Sequence, residues 1–79
     1  MKVTVLFFAS AREAIGMSET TITISSGASI EVLIASSEFE PLTALLSSMR
    51  FALNEEFSRR DAVLNDGDVV AVLPPVSGG

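Results

Sequence analysis

A chain of 79 residues, 48% of them hydrophobic, is long enough for one small domain with a dense apolar core. It contains neither cysteine nor histidine, which excludes disulfide bonds, thiolate metal sites and the commonest general base. The net charge of −5, with five scattered basic residues, argues against a nucleic-acid binder, and the acidity either suits a basic partner or only keeps the protein in solution.

The N-terminal part of the chain predicts two strands separated by a short helical segment. Residues 2–9 are rich in Val, Leu and Phe and contain no breaker, which favours a strand. Residues 10–16 predict a helical turn or loop. Thr and Ile alternate over residues 20–25, as in a strand with one buried face, and the bend of a hairpin is expected at 18–19.

Two helices are predicted in the middle of the chain. Ser29 is expected to cap a helix that runs to about residue 37, and Pro41 to open a second, shorter helix. The expected apolar positions are Ile30, Leu33 and Ile34 in the first helix, and Leu42, Leu45 and Leu46 in the second.

The C-terminal part predicts two further strands, over residues 49–54 and 69–73. Between them we expect a turn at 54–56, an irregular segment at 60–64 and a tight turn at 65–68, whose glycine suits positive φ.

The element order of strand, strand, helix, strand and strand predicts an α+β chain with the β-grasp fold. We expect a mixed sheet of four or five strands on one main helix, with the first and last strands adjacent and parallel. The domain would span residues 1–73, and residues 74–79 would form an extended tail.

Strand alternation divides the side chains of this sheet between two faces. The face against the helix is expected to carry Val3, Val5, Phe7, Ile22, Ile24, Val70 and Val72. The other face would hold an apolar patch beside the tail, formed by Leu6, Phe8, Ala71 and Leu73. Such patches mark protein interfaces, unless helix or loop residues cover them.

The tail, Pro-Pro-Val-Ser-Gly-Gly, is the segment that we expect to function. Pro74 and Pro75 end the last strand and hold an extended shape. Six extended residues reach at most about 20 Å. Gly78 and Gly79 have no Cβ, so they form a thread that fits a narrow channel. Alone, a terminal Gly-Gly could equally be a frayed end.

Other polar groups give weaker signals. Asp66 and Asp68 could bind a metal, but a turn explains them more simply. Glu55, Glu56, Arg59 and Arg60 are expected to be solvated. Arg12 and Glu13 could form an ion pair or contact a partner.

No leader or membrane segment is expected. The apolar run at residues 3–9 is too short for a signal peptide and charged residues follow it closely, while no run approaches the roughly 18 residues of a membrane span. A cytoplasmic location is therefore expected.

Three motifs together carry a resemblance that covers nearly the whole chain. The opening VLFFASAREAIG, the central ALNEE and the closing LNDGDVVAVLPPVSGG resemble the ubiquitin-like sulfur carriers that serve as small subunits of molybdopterin synthase. The central motif is a loose version of the family's sequence, and residues 26–50 match only in helix pattern.

The resemblance implies a cycle of sulfur transfer within a heterotetramer. An E1-like adenylyltransferase would adenylate the Gly79 carboxylate with ATP, and sulfur delivery would make a thiocarboxylate. The tail would then enter the large synthase subunit and pass sulfur to precursor Z. The chain would bind no cofactor or metal, and the catalytic groups would lie on the large subunit. The residues implied in partner binding are Gly78, Ser77, Val76, Pro75, Pro74, Phe8, Leu73 and Arg12.

Two alternatives remain open. The chain could be a sulfur carrier of the thiamine pathway or of tRNA thiolation, which use the same kind of terminus. It could also be a non-covalent interaction module with a passive tail. A protein-conjugating role is disfavoured, since Lys2 is the only lysine.

Overall fold

The computed structural model describes residues 1–75, which form one mixed sheet packed on short helices. The strands are β1 (Lys2–Phe7), β2 (Glu19–Thr23), β3 (Arg50–Leu53), β4 (Glu56–Ser58) and β5 (Val69–Leu73). The α-helices are α1 (Ala9–Ile15) and α2 (Ile30–Ile34), and two 3₁₀ segments cover Ser37–Leu42 and Leu46–Ser48. The sheet order is β2-β1-β5-β3-β4, which confirms the predicted β-grasp fold.

The first and last strands lie side by side at the centre of the sheet, as predicted. β1 and β5 pair in parallel, from Thr4 opposite Val69 to Phe7 opposite Val72. β2 pairs with the other edge of β1, and β3 with the other edge of β5, both antiparallel. Both central strands are therefore hydrogen-bonded on two sides.

The first strand ends at Phe7, two residues earlier than predicted. Ala9 has a φ of 48°, in the left-handed region, and begins α1. The carbonyl of Phe8 accepts the amide hydrogens of Ala11 and Arg12, at 3.0 and 3.4 Å, so it serves the helix rather than the sheet. The helical turn or loop predicted at residues 10–16 is therefore a helix, which begins one residue earlier than expected.

The bend predicted at residues 18–19 is confirmed at Ser18 and wrong at Glu19. Glu19 is the first residue of β2 and pairs with Leu6, because α1 makes most of the connection. β2 ends at Thr23, but the pairing continues: Met1 and Ile24 each donate an N–H to the other's carbonyl, at 2.9 Å.

Helix α2 is shorter than expected. One side-chain hydrogen bond explains where it begins, and another explains where it stops. Ser29 caps it as predicted, because its Oγ accepts the Val32 amide hydrogen at 3.3 Å. Beyond the C-terminal end, the Ser36 hydroxyl donates to the Leu33 carbonyl at 2.7 Å, a local bond that competes with helix continuation.

Pro41 does not open a second α-helix, contrary to the prediction. It lies inside the first 3₁₀ segment, Ser37–Leu42, which Phe39 anchors by packing against Phe7, with 5.8 Å between ring centroids. A 3₁₀ segment has three residues per turn, so the predicted apolar stripe is broken. Leu42 is buried, Leu46 is half-buried and Leu45 is exposed.

The hairpin of β3 and β4 was only half predicted. Asn54 and Glu55 have φ values of 50° and 72°, as a two-residue type I′ turn requires. Glu56 already belongs to β4, so the predicted turn at 54–56 is one residue too long. β4 itself was not predicted, because Glu-Phe-Ser carries no strand pattern.

The predicted inner face of the sheet forms the core. Six of its seven residues are at most 4% exposed, and the seventh, Ile24, is half-buried against them. The helical side contributes Ala11, Ile30, Leu33, Ile34, Phe39 and Leu42, and the loops contribute Met49 and Leu64.

None of the helices formed by residues 1–75 is long and apolar enough to cross a membrane.

The turn at residues 65–68 binds the start of β1. Gly67 has a φ of 86°, as predicted, and its amide donates to the Lys2 carbonyl at 2.8 Å. The Lys2 amide in turn donates to Asp66 Oδ1 at 2.7 Å. This bond gives Asp66 a structural role in the turn. Among residues 1–75, no three or more His, Cys, Asp or Glu residues are grouped so that they could hold a metal ion.

Asp68 joins this turn to the β3–β4 hairpin. Its Oδ2 accepts the Asn65 amide hydrogen at 2.7 Å, and its Oδ1 accepts from Asn54 Nδ2 at 3.1 Å. Asn54 Oδ1 then accepts the Val69 amide hydrogen at 2.9 Å. Two of the motifs seen in the sequence, ALNEE and LNDGDV, therefore meet in one hydrogen-bond network at the start of β5.

We predict that Asp68→Ala lowers the free energy of unfolding by about 1–2 kcal/mol, because two donors lose their acceptor. Asp61→Ala is the matched control: Asp61 forms only an exposed ion pair with Arg59, so its loss should cost less than about 0.5 kcal/mol. Urea denaturation followed by circular dichroism measures both, and equal stabilities would show that the network contributes nothing.

Candidate functional site

The sheet face opposite the core carries an apolar row across four strands. Leu6 of β1 is in register with Ala71 of β5, Ala71 with Ala52 of β3, and Ala52 with Phe57 of β4. The two alanines keep the middle of the row low. Phe57 stands at its end and is 65% exposed, an unusual exposure for a phenylalanine.

Beside this row lies an apolar groove of about 370 Å³, from which the chain leaves the sheet. We call it the exit groove. Its lining residues are Phe8, Ala9, Arg50, Phe57, Leu73, Pro74 and Pro75.

The last residue of β5 and the two prolines that follow it all line the exit groove. The Phe8 amide donates to the Val72 carbonyl at 3.3 Å, and Leu73 is opposite Arg50 of β3. Pro74 and Pro75 have no N–H to donate, so the ladder ends there. Pro74 is half-buried and Pro75 is exposed. The two prolines therefore line the exit groove at the point where the chain leaves the sheet.

Among residues 1–75, Arg50 is the single charged residue that lines the exit groove. Its guanidinium carbon lies 4.4 Å from the centroid of the Phe57 ring, a cation–π contact. The groove thus combines apolar walls with one fixed positive charge, on a chain whose net charge is −5.

The structure brings together four of the residues that the sequence suggested for partner binding. Phe8, which is 45% exposed, and Leu73, Pro74 and Pro75 all line the exit groove. Arg12 does not line it, and lies exposed in the last turn of α1. The suggested residues Val76, Ser77, Gly78 and Gly79 lie outside the described residues.

Sequence reasoning missed three residues of the groove: Ala9, Arg50 and Phe57. One signal in the sequence could have placed Phe57. If Asn54-Glu55 is taken as a two-residue turn between two strands, Ala52 lies opposite Phe57. Without β4, nothing in the sequence relates Phe57 to the tail.

The other polar candidates have structural roles or none. Arg60 was expected to be solvated but is half-buried. It donates to the carbonyls of Leu46 and Met49 and lies 5.1 Å from the Phe51 ring. Arg59 and Asp61 form an exposed pair, and Glu55 and Glu56 are exposed. No ion pair between Arg12 and Glu13 forms in the described part of the chain.

The side chains that line the exit groove within residues 1–75 are apolar apart from one guanidinium. The chain has no histidine or cysteine, so no base–nucleophile pair with these residues can be assembled. This part of the groove therefore offers a partner apolar contact and one positive charge.

Comparison with known proteins gives a consistent set of relatives. The ThiS family model matches residues 5–79. The "molybdopterin synthase sulfur carrier subunit" of Chlamydomonas reinhardtii is 40% identical over 83 aligned positions, which cover both chains completely.

Two solved structures resemble the chain in both sequence and fold. A putative molybdopterin converting factor subunit 1 from Pyrococcus furiosus is 31% identical, with a TM-score of 0.85 over 96% of this chain and 99% of that one. In a complex of subunits 1 and 2 of the molybdopterin-converting factor from Helicobacter pylori, the matching chain is 33% identical, with a TM-score of 0.72 over both full chains.

Alanine substitution at two neighbouring phenylalanines should distinguish a residue needed for the fold from a residue of the surface groove. Phe7→Ala is expected to cost about 3–5 kcal/mol of unfolding free energy, because Phe7 is 2% exposed and packs on Phe39. Phe8→Ala should cost less than about 1 kcal/mol, since the Phe8 side chain points into the open groove. Denaturant titration of both variants checks this, and a loss at Phe8 as large as at Phe7 would mean that the fold needs the groove wall.

Proposed function

This chain belongs to the ThiS family, and on that basis we propose that it is the sulfur carrier subunit of a molybdopterin synthase. The observation that carries the proposal is the full-length similarity to the Chlamydomonas reinhardtii protein of that name. The exit groove supports it, because a carrier needs a surface that docks while its end reaches into another protein.

The proposed cycle begins with activation of the Gly79 carboxylate. A carboxylate is ionised at neutral pH and is a poor electrophile. In an E1-like adenylyltransferase, one of its oxygens would attack the α-phosphorus of ATP and release pyrophosphate. The resulting acyl adenylate has AMP as a good leaving group.

Sulfur would then replace that leaving group. A sulfide equivalent from a donor protein attacks the carbonyl carbon, AMP departs, and a thiocarboxylate remains at Gly79. In the large synthase subunit this sulfur would pass to precursor Z as the dithiolene of molybdopterin is built. Without cysteine, the chain has no side chain that could carry the sulfur as a persulfide.

The proposed partner in the transfer step is the large subunit of the synthase. The similarity to the Helicobacter pylori complex of subunits 1 and 2 supports this choice. The chain would contribute the docking face, the direction of the tail and the sulfur itself, while the partners contribute the catalytic groups.

We predict that Phe8→Ala weakens binding to the large subunit by at least about 10-fold, because exposed aromatic anchors carry much of the energy of an interface. Val63→Ala is the control: Val63 is also exposed, at 58%, but does not line the exit groove. Titration calorimetry measures both dissociation constants. If the two variants bind equally well, the docking surface lies elsewhere.

The tail prediction concerns three variants compared at saturating large subunit. Deletion of Gly79 should abolish sulfur transfer, because the new end is one residue, about 3.5 Å, short, and near-attack geometry tolerates about 1 Å. One added residue after Gly79 should do the same. Gly78→Ala should slow transfer by thickening the thread, while all three variants keep their affinity for the large subunit.

The assay is molybdopterin formation, preceded by intact-mass measurement after incubation with activating enzyme, ATP and a sulfur donor. Replacement of one oxygen by one sulfur identifies a carrier. A thiolated chain that supports tRNA or thiamine thiolation but forms no molybdopterin would favour the other carrier pathways. Wild-type transfer by the Gly79 deletion would leave the passive interaction module as the better description.

A further inference from the structure

We propose that Arg50, held on the ring of Phe57, pairs with a carboxylate on the large subunit of molybdopterin synthase and so selects that partner. The inference rests on the proposed function. It adds an electrostatic requirement to a groove whose other walls are apolar.

The reach of the tail requires a partner to cover the exit groove. Four residues follow Pro75, and even a fully extended chain of that length spans only about 14 Å. An enzyme that holds the Gly79 carboxyl group in its active site therefore has its surface within that distance of Pro75. Phe8, Leu73 and Phe57 would then lose contact with water.

Covering the groove also removes water from Arg50. In the described residues, its side chain forms no ion pair or hydrogen bond, and its one defined contact is the Phe57 ring. A desolvated guanidinium without an acceptor is costly. Since no described residue bonds to the Arg50 side chain, the inference assigns the acceptor to the partner.

A carboxylate is the group that fits this requirement best. It accepts two parallel N–H bonds from the planar guanidinium, and it neutralises the charge. Because Arg50 already stacks on Phe57, less side-chain entropy is lost on pairing. The surrounding acidic chain would repel acidic surfaces in general, so a single matched carboxylate at Arg50 gives selectivity rather than bulk attraction.

The test compares binding of three variants to the large subunit. Arg50→Glu should weaken binding by at least about 30-fold, because two carboxylates would face each other. Arg50→Met keeps an apolar side chain over Phe57 but removes the donors, and should weaken binding by about 10-fold. Lys2→Glu makes the same change of net charge as Arg50→Glu, but at the first residue of β1, whereas the exit groove lies just after the last residue of that strand. Its dissociation constant should stay within about 3-fold of the wild-type value.

Two further measurements define the role. At limiting large subunit, the thiocarboxylated Arg50→Met chain should form molybdopterin more slowly than wild type, and a higher concentration of large subunit should reduce the difference, since Arg50 acts in docking. Denaturation midpoints should match for all variants, which excludes misfolding as the cause of weak binding.

The outcomes are distinguishable. If the unaltered chain does not bind the large subunit, the proposed function fails, and this inference with it. If wild type binds and Arg50→Glu binds no worse than Lys2→Glu, the inference alone is overturned. It is equally overturned if Arg50→Met binds more tightly, since the charge would then be only a desolvation cost, or if sedimentation shows that Arg50 supports self-association instead.

Discussion

The parallel pairing of β1 with β5 is the constraint on which the rest of the molecule depends. It joins the first residues of the chain to residues 65 positions later, and it puts both strands at the centre of the sheet. A contact between such distant segments has a high loop-closure cost, which the long apolar run of each strand offsets. The pairing also brings Phe8, at the end of β1, beside Leu73 and the prolines.

The same two strands build part of the core and part of the apolar row beside the exit groove, because successive side chains point to opposite faces. Val5 and Val70 are fully buried on one face, while Leu6 and Ala71 are in register on the other. A shift of one residue in this pairing would expose core residues and bury residues of the row. The stability of the core and the proposed docking surface therefore both depend on the pairing register of β1 with β5.

The two ends of β5 have opposite roles. At its start, Asp68 and Asn54 tie the strand to two turns through side-chain hydrogen bonds. At its end, two prolines remove the donors that would continue the ladder. The polar network therefore holds the start of the strand, while the prolines end its pairing. Arg50, in contrast, has no such network and is left for a partner.

The strand alternation was enough to predict the β-grasp order, the parallel central pair and nearly all of the inner face, because apolar periodicity within a strand is local information. The residues Phe8, Leu73, Pro74 and Pro75 were found for the same reason: each adjoins a recognisable strand end.

Ala9, Arg50 and Phe57 were not found. Their place in the groove depends on a left-handed residue after β1 and on a three-residue edge strand that exists only by pairing with β3. The helix predictions were likewise wrong after residue 34, because the Ser36 hydroxyl bonds to the Leu33 carbonyl and Pro41 lies inside a 3₁₀ segment, and residue periodicity indicates neither. The sequence by itself determined that the first and last strands pair in parallel and which face of the sheet is buried. Only the tertiary structure decided which side chains from distant strands share the groove, because that depends on cross-strand register rather than on local pattern.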